Sequence, residues 1–160
     1  MVKAFRSRIP EITIATDIIV GFPSETEDDF ETTLQLIRDT QPDIVNSSKY
    51  SARPNTAAAK LKQLGSDTVK RRTDRLHRLV KEISGTRNSM WIGWQGNIIV
   101  DELNNNSVIG RNYAYKSVMI SPLSRTQTSF GPHMRYSLGT EIETRIYDYS
   151  EYSLRGNPIG

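Results

Sequence analysis

The chain of 160 residues contains no cysteine. That absence removes disulfide bonds, thiolate nucleophiles and any cysteine-ligated zinc or iron–sulfur centre held by this chain alone. Histidine is nearly missing too. His77 and His133 are the two present, far apart and without spaced partners, so a metal site made from these residues alone is not expected. No apolar run approaches the roughly 20 residues of a membrane-spanning helix, and no signal-peptide core is visible. No internal repeat is visible either, and no acid–base pair or nucleophile stands out. An apolar fraction of 36% and a charged fraction of 24% suit a folded, soluble chain, and the length suits one domain or two small ones.

What the chain does have is charge unevenly spread. The formal net charge is +3, with residues 11–43 leaning acidic and Lys60 to Arg87 holding most of the positive excess. A basic segment of this kind suits a nucleic-acid partner, and a solvated helix face produces the same pattern.

The organising stretch is Thr16-Asp17-Ile18-Ile19-Val20-Gly21-Phe22-Pro23-Ser24-Glu25-Thr26. A short apolar run ending in a Gly/Pro loop that opens an acidic helix reads as a buried parallel strand, its C-terminal loop and the next helix. In α/β sheets, ligands sit at that edge. A first strand is expected over Ile12–Phe22, rich in β-branched residues. Thr26 is placed to cap the following helix, with Asp29 completing a capping-box-like pair and Phe30, Leu34 and Ile37 forming its core stripe. Asp43–Tyr50 is expected as the second strand of a βαβ unit. Ahead of all this, Val2, Phe5 and Ile9 read as the tail of an amphipathic helix, which suggests a piece of a longer protein.

Beyond Tyr50 a turn at Ser51–Thr56 is expected, then a short Ala-rich helix over Ala57–Leu64, a break at Gly65, and a long helix from Thr68 to about Gly85. Gly85–Met90 reads as a linker. Five β-type segments follow: Gln95–Val100, Ser107–Arg111, Tyr115–Ile120, Thr140–Tyr147 and Tyr152–Pro158. Asn104-Asn105-Asn106 marks a turn, and the polar stretch Ser121–Ser137 reads as a long loop. Five short strands suit a small closed barrel of the oligonucleotide-binding sort, with an SH3-like barrel as close rival. The fold class is thus α/β followed by a small five-stranded β-barrel, divided at residues 1–87 and 88–160.

Three stretches together resemble one family, the radical S-adenosylmethionine (SAM) methylthiotransferases that modify tRNA. They are TDIIVGFPSETEDDFETTLQLI, NSSKYSARPNTAAAKLKQL and GRNYAYKSVMI. The last is similar to the TRAM RNA-binding domain, and the NSSKYS wording is closer to the archaeal and eukaryotic branch acting on threonylcarbamoyladenosine at position 37 of tRNA. Asn55 stands where the family usually has Gly, and Ala57 where it usually has Pro. Asn can still take the left-handed conformation that such a turn requires.

The resemblance implies the closing βα units of a radical SAM partial barrel joined to TRAM, in a cytoplasmic enzyme using SAM and 4Fe–4S clusters. This chain lacks the cluster cysteines and would be inactive by itself. The implied partners are tRNA and the remainder of the parent polypeptide, with no membrane.

By the same resemblance, the adenosyl part of the cofactor would meet Asp17, Ile19 and Gly21, then Tyr50, Ser51 and Arg53. Ordinary core packing explains Ile19 and Gly21 equally well, and a surface ion pair explains Arg53. Lys60, Lys62, Arg71, Arg72 and Arg75 are candidate phosphate contacts, against the alternative of a solvated helix face. Arg111, Asn112, Tyr113 and Lys116 combine cations, an amide and an aromatic ring, a mix that suits unstacked bases. Trp91 and Trp94 are expected to cover the barrel end. The competing reading is a non-catalytic RNA-binding barrel on an α/β remnant; a plain α/β structural protein is a poorer third.

Overall fold

The computed structural model describes residues 1–104, 107–120 and 136–159. The expected turn at Asn105-Asn106, most of the polar stretch Ser121–Ser137, and His133 lie outside the described residues. The chain divides into two compact units, one formed by residues 1–10 and 14–84 and the other by residues 11–13 and 85–160.

The first unit holds α1 (Val2–Arg8), β1 (Ala15–Val20), α2 (Glu27–Thr40) and β2 (Ile44–Lys49). β1 and β2 pair in parallel from Ala15 opposite Ile44 to Val20 opposite Lys49. The first strand is shorter than expected because the pairing stops at Ala15: Ile14 O instead accepts from Asp43 N and Ile44 N, and its N–H donates to Asp43 Oδ2. α2 begins with a complete capping box, Thr26 Oγ1 accepting from Asp29 N at 3.1 Å and Asp29 Oδ2 from Thr26 N at 2.9 Å. Its buried stripe of Phe30, Leu34 and Ile37 packs with Val20, Leu76 and Ile83.

The Ala-rich helix is reduced to a single 3-10 turn over Ala58–Lys60. So short a helix does not sustain itself without packing, and Gln63 Nε2 folds back onto the Ala58 and Leu61 carbonyls instead. α3 (Ser66–Ser89) is longer than expected and runs through the proposed linker. Its last turn, counted with the second unit, is anchored by buried Asn88, whose Nδ2 donates to Ser150 O at 2.9 Å.

The second unit is a closed barrel of β3 (Gln95–Asn104), β4 (Ser107–Arg111), β5 (Ser117–Ile120), β6 (Glu141–Tyr149) and β7 (Leu154–Pro158). The order around the barrel is β3-β4-β5-β7-β6, with β6 closing on β3 and β5 pairing in parallel with β7. Ile98, Val100, Val108, Val118, Ile146 and Leu154 alternate inward to fill it. Gly156 is required where β7 crosses that core, since a Cβ there would lie 2.3 Å from Thr144 Cγ2. Trp91 belongs to the barrel core and Trp94 packs against it. Among the described residues no helix is long and apolar enough to cross a membrane.

Both tryptophans report on this unit. Ile98→Ala is expected to cost the barrel about 2–5 kcal/mol, and Ile99→Ala, at an exposed position, under about 1 kcal/mol. Urea unfolding followed by tryptophan fluorescence checks both.

Candidate functional site

The C-terminal edge of β1 and β2 opens into a cleft of about 470 Å³. Ile19, Tyr50, Ser51 and Arg53 line it, joined by Lys49 and Thr56. Ile19 is 59% exposed on the uncovered face of the two-stranded sheet. Asp17 lies on that face one alternate position earlier, accepting from Asn46 Nδ2 at 2.9 Å. Beyond the cleft, Tyr50 packs edge-on against Phe22 with ring centroids 5.3 Å apart. Asn55 adopts φ 65°, so the turn forms with Asn in the left-handed region.

Gly21 does not join this cleft. Its φ is +84°, and a Cβ there would meet Val69 Cγ2 at 2.8 Å. The residue is buried, and its missing side chain admits α3 rather than a ligand.

Directly after Gly21, Glu25 ties the loop to α3. Glu25 Oε2 accepts from Gly21 N at 3.0 Å and from Arg72 Nη1 at 2.6 Å. Arg72 is 4% exposed and also reaches Glu27 through Nε and Nη2, at 3.2 and 3.0 Å. Arg75 bonds Glu27 at 2.8 Å and also pairs with Glu31, and both guanidinium groups lie over the Phe30 ring. The acidic and basic segments thus largely satisfy each other. Arg72 is withdrawn from the candidate phosphate contacts by its burial, and Arg75 is committed to two glutamates. Arg71 is exposed, 3.9 Å from Glu27, while Lys60 and Lys62 are exposed without an ion pair among the described residues.

The barrel carries a second cavity, a groove of about 510 Å³. Its walls include Ile99, Asp101, Arg111, Tyr113, Tyr115 and Glu141, with Asn97 and Asn112 completing it. Asn112, 4% exposed, shapes the β4–β5 loop: its Oδ1 accepts from Ala114 N at 3.1 Å and Lys116 N at 2.9 Å. Thr13 Oγ1 adds a bond to Ala114 O. Lys116 is 7% exposed and its Nζ donates to Asn88 Oδ1 at 3.0 Å, so it braces the loop and is not available to a phosphate.

The loop so fixed presents Tyr113 and Tyr115, each 66% exposed. Tyr113 is backed by Trp91 and Trp94 at 6.0 and 6.2 Å between centroids. Arg111 lies over the Tyr115 ring at 4.9 Å and donates to Asp101 Oδ2 at 2.8 Å.

Tyr115, which lines the groove, is expected from the sequence at the start of a strand and is not among the candidates it suggests. It sits instead at φ 62°, and the strand begins at Ser117. A bulky residue in that region is an outlier of the sort that marks functional loops. The Tyr-Ala-Tyr spacing in a polar loop was the available signal. Asp101 was missed too: the β3–β4 register shifts between Val100 and Glu102, so Asp101 is a bulge residue turned outward.

No protein-family model matches the chain. It is 47% identical over 100 residues to a probable threonylcarbamoyladenosine tRNA methylthiotransferase of Pyrococcus horikoshii, a match covering 62% of this chain and 24% of the relative. It is 33% identical over 158 residues to the threonylcarbamoyladenosine tRNA methylthiotransferase of Drosophila pseudoobscura pseudoobscura, covering 98% of this chain and 26% of the relative. The chain belongs to the tRNA methylthiotransferase family. It matches the C-terminal part of these relatives and spans about a quarter of their length. A tRNA-2-methylthio-N(6)-dimethylallyladenosine synthase of Caldicellulosiruptor saccharolyticus is 40% identical over 123 residues, covering 75% of this chain and 26% of the relative.

The Arg72–Glu27 pair and the Thr26–Asp29 box give the α/β unit an acid sensitivity. The side-chain bond from Arg72, aided by the charges of Arg72, Arg71 and Arg75, lowers the Glu27 pKa from its ordinary 4.5. Bonds from the Thr26 hydroxyl and backbone lower Asp29 from 3.8. A carboxylate depressed on folding stabilises above its unfolded value, and that stabilisation is lost as the pH falls through the folded one. The helical far-UV signal is therefore expected to become easier to melt below about pH 4.5, and Glu27→Gln to flatten part of that dependence. Arg72→Met, leaving Glu25 without its partner, is expected to cost about 3 kcal/mol at neutral pH by the same measurement.

Proposed function

We propose that this chain supplies the C-terminal part of a radical SAM tRNA methylthiotransferase, with residues 1–87 closing the radical domain and residues 88–160 forming a TRAM barrel that holds tRNA. The observation that carries the reading is the match of nearly the whole chain to a threonylcarbamoyladenosine tRNA methylthiotransferase. The substrate proposed is accordingly threonylcarbamoyladenosine at position 37 of a cytoplasmic tRNA, which would gain a methylthio group. The barrel's strand order, with its one parallel pair, supports the oligonucleotide-binding topology over an SH3-like one.

The residues present fit the two cofactors differently. In the intact enzyme, SAM on a 4Fe–4S cluster would supply the radical, and this chain has no cysteine with which to hold a cluster. The cleft above β1 and β2 does suit the adenosyl portion. Ile19 offers an apolar surface, Tyr50 and Ser51 bring backbone to the same edge, and Arg53 supplies a cation for a carboxylate. Here the protein contributes position and shielding from water.

For tRNA, the β4–β5 loop is the better-supported surface. It carries two fixed exposed rings, while Arg72 and Arg75 are engaged elsewhere. Stacking of a base on tyrosine contributes about 1–3 kcal/mol. Tyr113→Ala is therefore expected to weaken tRNA binding by this chain roughly 5- to 100-fold. Arg111→Ala is expected to have a smaller effect, because Asp101 already neutralises its charge. Fluorescence anisotropy across a salt series measures both, and the dependence on salt should be shallow for binding at this loop, where Arg111 is paired with Asp101 and Lys116 is buried. Unchanged affinity in a folded Tyr113→Ala chain, with affinity lost in Lys60→Ala/Lys62→Ala, would move the site to the other unit.

A further inference from the structure

We infer that the barrel groove selects an unstacked base bearing amino donors, guanine before cytosine or adenine, and rejects uracil. This rests on the proposal that the barrel binds RNA and names what its groove would read.

The outer face of β3 sets the geometry. Ile99 is exposed between Asn97 and Asp101 along the strand, and across the strands it lies opposite Arg111 on β4 and Glu141 on β6. Two strand spacings of ~4.8 Å put the Glu141 and Arg111 backbones ~10 Å apart, with an apolar side chain between them. That is room for one flat ring system. Tyr113 and Tyr115 border the same groove, with Arg111 held over Tyr115 by Asp101.

Two carboxylates stand at its margin. Glu141 Oε2 accepts from Asn97 Nδ2 at 3.0 Å, and Asp101 Oδ2 accepts from Arg111. Among the described residues the second oxygen of each carboxylate carries no hydrogen bond. Ionised carboxylates only accept; Arg111 offsets the charge of Asp101, whereas Glu141 has no cation against it among the described residues, so it disfavours a phosphate beside it and faces a base edge that donates. Guanine presents N1–H and the 2-amino group side by side, whereas cytosine and adenine present one amino group each. Uracil offers a single N3–H, flanked on both sides by carbonyl oxygens that would face like charge. Asn112, which also lines the groove, has a buried Nδ2 without a partner among the described residues.

The test uses the full chain and three labelled nine-nucleotide RNAs: all uridine, uridine with one central guanosine, and the same with inosine, which lacks only the 2-amino group. The guanosine oligonucleotide is expected to bind roughly five- to tenfold more tightly than the all-uridine one, with inosine between them. Glu141→Gln, at an exposed position, should keep the fold by circular dichroism and erase most of the difference. Equal binding of guanosine and uridine RNAs, both weakened by Tyr113→Ala, would overturn the inference and leave RNA binding by the barrel standing. A guanosine preference untouched by Glu141→Gln and by Asp101→Asn would also overturn it. Binding of none of these RNAs, nor of tRNA, would overturn the RNA reading and this inference with it.

Discussion

Asn112 is closed off from solvent, and its Oδ1 gathers the backbone N–H groups of Ala114 and Lys116 while its own backbone pairs with Tyr115 and Lys116. A short polar side chain used this way replaces the bonds that a regular hairpin would make. The loop that results could not otherwise hold Tyr115 at positive φ, a conformation that costs roughly 1–3 kcal/mol. Lys116 extends the same bracing to Asn88. Two residues that read as ligand contacts in the sequence are thus the fixings of a platform. The platform itself is aromatic, Tyr113 and Tyr115 with Arg111 between ring and carboxylate. Fixing exposed rings in advance lowers the ordering cost of binding.

Charge follows a related logic in the α/β unit. The acidic start of α2 would suit the helix dipole in any case, but Glu27 and Glu31 also meet Arg72 and Arg75 on α3, and Glu25 holds Arg72 and the Gly21 amide together. The loop after β1 is therefore held against α3 at two points, by the buried guanidinium of Arg72 and by Val69 against Gly21. This places the edge carrying Ile19, Tyr50 and Arg53 on a rigid support. Much of the positive excess in the Lys60–Arg87 segment is consumed internally, which leaves less of it to attract RNA.

The elements with local causes were legible in the sequence. The apolar run into Gly21, the Thr26–Asp29 box and the alternating barrel strands all declare themselves within a few residues. Long-range effects did not. Arg72 and Glu25 are 47 positions apart, so nothing in the basic run marks which arginine is buried. The burial of Lys116 depends on Asn88 from a helix that reads as ending earlier. The bulge at Asp101 and the left-handed Tyr115 arise from barrel closure, which no local pattern encodes. For these reasons the sequence marks Arg72 and Lys116, which are buried, as candidates and passes over Tyr115, which lines the groove.

On the proposed reading, RNA meets this protein on the β4–β5 loop. Ultraviolet crosslinking of the chain to tRNA, with the attached peptides mapped by mass spectrometry, tests it most directly. Crosslinks concentrated at Tyr113 and Tyr115 are the expected result. Crosslinks confined to residues 60–75, with the loop untouched, would contradict it.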